Sequence, residues 1–123
     1  MVESCVDSLD AALASEAGGA QRLELCARLD VGGTTPDPSL VAAVVAAVRI
    51  PVVTMVRPRG GDFVYDTNEL SAMARDVTRM RAAGAHGIVT GVLRARRWPR
   101  RTTPFVEPRS SIVSTLPTRS NAW

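Results

Sequence analysis

Apolar runs with a two-residue period alternate with stretches of three- to four-residue period up to residue 93. The first rhythm predicts strand and the second predicts helix. Val2–Val6 reads as a strand, followed by a helix over Ser8–Ala17 with Asp7 as its N-cap and Leu9, Leu13 and Ala17 on one face. Gly18-Gly19 ends that helix, and Arg22–Cys26 is a second strand. After the loop Gly32-Gly33-Thr34-Thr35-Pro36, Asp37 caps a second helix that runs to about Val48. Pro38 stands in its first turn, where a missing N–H costs nothing. Pro51–Val56 is β-branched and apolar, as a strand buried on both faces must be. Asp66 and Glu69 have capping-box spacing and open a third helix with a stripe of Leu70, Met73, Val77 and Met80. Helical spacing makes those methionines core packing rather than a metal-binding cluster. Gly84 closes the helix, and Gly87–Val92 is a fourth strand.

Two helix ends are alike: Ala17-Gly18-Gly19-Ala20 and Ala82-Ala83-Gly84-Ala85 each lead into a strand. Strands alternating with helices imply parallel pairing and right-handed crossovers. The predicted class is therefore α/β: a partial (β/α), TIM-barrel-like arrangement of about four parallel strands and three helices over residues 1–93. The rhythm stops at Arg94. Of the last 30 residues, 19 are Arg, Pro, Ser or Thr, so residues 94–123 are expected to be an irregular, disordered tail.

Composition refines this picture. The chain is 46% hydrophobic, enough for one core, but only 4% aromatic. Its net charge of +3 conceals a division: residues 1–93 carry 8 Arg against 11 acidic residues, and residues 94–123 carry 7 Arg against 1. An acidic body with a basic tail is not the footprint of a nucleic-acid-binding domain, and no recognition module accompanies the arginines. The longest apolar run, Leu40–Val48, falls far short of the ~20 residues of a membrane span. With two cysteines and a strand beginning at Val2, a disulfide scaffold and a signal peptide are not expected, and a cytoplasmic location is.

The chemistry concentrates in Glu3-Ser4-Cys5 and Glu24-Leu25-Cys26. Residues two apart on a strand share a face. Two parallel neighbours would therefore gather Glu3, Cys5, Glu24 and Cys26 into one patch. Arg57 and Arg59 are the expected partners of the carboxylates, since guanidinium matches carboxylate in a two-pronged geometry.

Five blocks resemble the CutC copper homeostasis family: Cys5–Ser8, Glu16–Cys26, Gly32–Pro36, Val56–Tyr65 and Gly84–Leu93. Ser4 stands where that family usually has an aliphatic residue, and His86 where it usually has Asp. The resemblance implies a TIM barrel about twice as long as this chain, and so a truncated or frame-shifted product. It implies copper homeostasis and copper binding, with Cys5 and Cys26 as Cu(I) ligands. Quiet packing as buried thiols is the competing reading of the pair. Whether the chain is an enzyme stays open. The alternative function is a fragment of a TIM-barrel enzyme with an anion-binding mouth: Arg57 and Arg59 hold a small anionic substrate, and Glu3, Glu24 or Asp62 serves as acid or base. Unpaired parallel edges would favour a homo-oligomer.

Overall fold

The structure, a computed structural model, describes residues 1–94 and Leu116–Pro117 of the 123-residue chain. Its elements in chain order are β1 (Glu3–Val6), α1 (Leu9–Ala17), β2 (Arg22–Leu25), a 3-10 turn (Leu29–Val31), α2 (Pro38–Ala47), β3 (Val52–Met55), α3 (Thr67–Ala82), β4 (Gly87–Val89) and β5 (Leu116–Pro117). The strands lie in sequence order in a single sheet. β1 to β4 are parallel, so the expected class of four parallel strands and three helices is observed. β5 runs antiparallel beside β4, pairing Gly87 with Pro117 and Ile88 with Leu116. The far edge of β4 is therefore covered, contrary to the expectation that it stands open. The rest of the expected tail, residues 95–115 and 118–123, lies outside the described residues.

Side-chain alternation divides the sheet into two faces. Val6, Leu23, Leu25, Val52, Val56 and Ile88 form one core with Ala12, Val41, Val44, Met73 and Met80 of the three helices. Glu3, Cys5, Arg22, Glu24, Val53 and Met55 have the opposite parity and face away from the helices. The apolar stripes are narrower than the sequence suggests. Ala12 takes the core position of α1, leaving Leu13 42% exposed, and Leu70 at the start of α3 is 43% exposed.

The caps follow the sequence closely, with one shift. Ser8, not Asp7, caps α1, its Oγ accepting from the Ala11 N–H at 3.1 Å. Asp37 caps α2 by accepting from the Ser39 N–H at 2.8 Å, with Pro38 at the first position. Asp66 and Glu69 form a reciprocal capping box on α3.

The two alike helix ends are the same backbone device. The Gly19 N–H reaches Glu16 O and the Ala20 N–H reaches Ser15 O, while Gly84 and Ala85 repeat this onto Arg81 and Met80. Both turns are Schellman motifs with a glycine at positive φ, +98° at Gly19 and +101° at Gly84. They differ in what surrounds them. A Cβ at Gly19 would meet nothing within 4 Å, whereas one at Gly84 would lie 3.2 Å from Val45 Cγ1. Gly19→Ala should therefore cost only the left-handed backbone penalty of about 1–2 kcal/mol. Gly84→Ala should cost measurably more, and paired urea denaturation curves check the order.

Candidate functional site

The site is built by strand parity and register. Leu23 and Leu25 are fully buried against the helices, which turns Glu24 to the opposite face. Parallel pairing sets Cys5 opposite Glu24 and Glu3 opposite Arg22. The Cys5 thiol donates to Glu24 Oε2 at 3.3 Å, and the Cys26 thiol points to Glu24 Oε1 at 3.8 Å. One carboxylate thus lies between two thiols at the C-terminal ends of adjacent strands. The thiols differ in access: Cys5 is exposed, whereas Cys26 is buried beneath the β2–α2 loop. That loop closes on itself through an antiparallel bridge between Ala27 and Thr34. Gly33 lies so close over Cys26 that a Cβ there would sit 3.2 Å from the sulfur.

This packing holds both thiols protonated. Burial, followed by the hydrogen bond and charge of Glu24, pushes Cys5 up from an ordinary 9.0 to about 11. Burial, then the Glu24 charge, pushes Cys26 up to about 12. Neither is a nucleophilic thiolate at neutral pH.

Glu3 and Glu24 are not partnered by Arg57 and Arg59. Glu3 pairs with Arg22 across the β1–β2 ladder. Arg57 is only 7% exposed and grips loop carbonyls: Nη1 donates to Val31 O at 2.9 Å and Gly33 O at 3.1 Å, and Nη2 to Gly61 O at 2.9 Å. The Phe63 ring covers its guanidinium at 4.7 Å. Its own backbone is held by Thr35, whose hydroxyl accepts from Arg57 N and donates to Arg57 O. Arg59 is likewise engaged, donating to Glu69 at 2.5 Å, Asp62 Oδ1 at 3.2 Å and Val64 O at 2.8 Å. Asp62 thus belongs with Arg59 and not with the thiols. The Arg59 hydrogen bond also holds the Glu69 carboxyl below its usual range.

His86 lies at the start of β4. Its Nδ1 accepts from the Val52 backbone N–H at 3.2 Å while its backbone N–H donates to Val52 O, so it splices β4 to β3. Arg22, Thr35 and Glu69 are the partners that sequence reasoning misses. Arg22 is recoverable from strand register, since it stands two residues before Glu24; Thr35 carried no such signal. A cleft of about 370 Å³ lies on the helix side, lined by Thr35, Asp37, Asp76, Arg79 and Met80 among others, and contains none of the candidate residues. Among the described residues there is no group of three or more His, Cys, Asp or Glu placed to hold a metal ion. Nor is any helix there long and apolar enough to cross a membrane.

A family model described as the CutC family matches residues 1–97. The human protein named copper homeostasis protein cutC homolog is 46% identical over 93 residues, which is 76% of this chain and 34% of the human one. A "family protein CutC" of Sinorhizobium medicae (strain WSM419) is 50% identical over 95 residues, 77% of this chain and 38% of that one. A crystal structure from Streptococcus agalactiae, described as a candidate copper homeostasis protein CutC, superimposes with a TM-score of 0.70 at 33% identity. The match covers 76% of this chain and 46% of that one. The chain therefore spans little more than a third of the length of these curated relatives.

The raised thiol values carry a sign for stability. A thiol whose folded value exceeds its unfolded one stabilises fully below about pH 9, and that contribution is lost as pH rises through about 11 to 12. Chemical denaturation between pH 8 and pH 11 should show stability falling with pH. Glu24→Gln removes the charge behind part of both shifts and should flatten the fall. It should also lower the midpoint of thiolate absorbance on alkaline titration.

Proposed function

This chain belongs to the CutC family, and on that premise we propose that it serves copper homeostasis by binding Cu(I) through Cys5 and Cys26. The observation that carries this reading is the shared carboxylate, with Glu24 contacting both sulfurs from one strand register. Thiolates are soft donors that suit Cu(I), whereas hard ions need more oxygen ligands than this patch offers. The neighbouring Glu24 charge favours a cation there and disfavours the anionic thiolate. The four parallel strands supply one arc of a (β/α) barrel, and the thiols stand at the strand ends where such barrels carry their function. A reducing, cytoplasmic setting suits two free thiols. The anion-clamp reading loses support, because Arg57 and Arg59 spend their donors on loop carbonyls and on Asp62 and Glu69.

Both thiols must give up protons to ligate, so Cu(I) uptake releases protons and strengthens as pH rises. Titration against a Cu(I) chelator under reducing conditions should show one ion taken up per chain. Cys5→Ser/Cys26→Ser should abolish that uptake, and unchanged uptake in the double variant overturns the assignment. A second element of the proposal is that two copies pair along β1, whose outer edge has no strand beside it among the described residues. Sedimentation should give twice the chain mass, and a monomer throughout the micromolar range would refute the pairing.

A further inference from the structure

Gly33 packs directly against the buried Cys26 and fits only because it has no side chain: a Cβ would stand 3.2 Å from Cys26 Sγ, 3.3 Å from its Cβ and 3.5 Å from Met55 Cε. Nothing in the Val31–Gly33 segment itself bonds to the cysteine side chain, whose polar contact is Glu24. What holds the segment down is Arg57. Its Nη1 takes two carbonyls there, Val31 O and Gly33 O, and its Nη2 fastens the same guanidinium to Gly61 of the neighbouring loop. A second contact joins the loops, because a Cβ at Gly60 would be 3.1 Å from Val31 Cβ. Thr35 fixes the Arg57 backbone through both its N–H and its C=O. The grip has a weak point: Arg57 Nε is buried and has no hydrogen-bond partner.

We propose that Arg57 is a positioning residue that latches the Gly32–Gly33 segment over Cys26, so that the buried thiol meets incoming metal ions or electrophiles only when this latch opens. The loop is tied to its surroundings by Arg57 and Thr35, and its apolar contacts there are those of Gly33 with Cys26 and Met55 and of Val31 with Gly60. Leu29 and Val31 on the loop are both exposed. Opening at this point is thus a local event of low cooperativity, separate from global unfolding. The inference concerns access to the sulfur and holds whether or not copper is the ligand.

The test is N-ethylmaleimide labelling of Cys26 in a Cys5→Ser chain, which leaves a single thiol. Rates are followed across a urea series at fixed pH. Local opening gives a rate independent of urea at low denaturant, and global unfolding gives a limb that rises with urea. Arg57→Met removes all three charged hydrogen bonds and should raise the urea-independent rate by about tenfold or more. Arg57→Lys, which keeps charge without the fork, should fall between. An unchanged low-urea rate in Arg57→Met overturns the latch. So does a rise carried entirely by the urea-dependent limb, which would mean that Arg57 only stabilises the fold.

Discussion

The structure depends on the two-residue alternation of β2. Leu23 and Leu25 must enter the helix-covered core, and each is completely buried there. A strand has only two faces, so Arg22 and Glu24 are turned the other way together. Register with β1 then delivers Glu3 to Arg22 and Cys5 to Glu24. A slip of one residue would bury a carboxylate and an arginine among valines and expose two leucines. Packing on one side of the sheet thereby fixes the polar constellation on the other.

On the polar face one carboxylate stands between two protonated thiols. Glu24 has two thiols as its hydrogen-bond neighbours, and its charge opposes their ionisation. A positive ion entering between them would reverse that balance by screening the carboxylate and stabilising thiolate. The arginines nearby do not compete for the same space, because loop carbonyls and acidic side chains already hold them.

Much of this was legible in the chain. The three helices, the Asp37 and Asp66 caps and the paired glycine turns rest on contacts within six residues, and local contacts leave local signatures. Of the expected patch of Glu3, Cys5, Glu24 and Cys26, period and parallel pairing account for Glu24 meeting both thiols, while Glu3 turns to Arg22. Other features depend on long-range choices that no local pattern records. Arg57 looked like a carboxylate partner by chemistry, but the loop carbonyls it holds at Val31 and Gly33 lie more than twenty residues away. Asp7 and Ser8 are both good caps, and only the backbone turn at Ser8 decides between them. β4 ends at Val89 rather than Val92, as the chain turns away to place Thr90 Oγ1 on Val56 O and Leu93 N on Phe63 O. The antiparallel Leu116–Pro117 strand had no apolar rhythm to announce it.

The sheet's two flanks are unequal. On the β4 side it ends in a two-residue strand, and Pro117 in that strand carries no N–H to donate. The opposite flank is β1, four residues long, with no neighbour beyond it among the described residues. A polypeptide joining the ladder would thus dock on the flank that bears Cys5, the solvent-facing sulfur. Whatever pairs with this edge would therefore lie beside Cys5 and the Glu24 carboxylate it contacts.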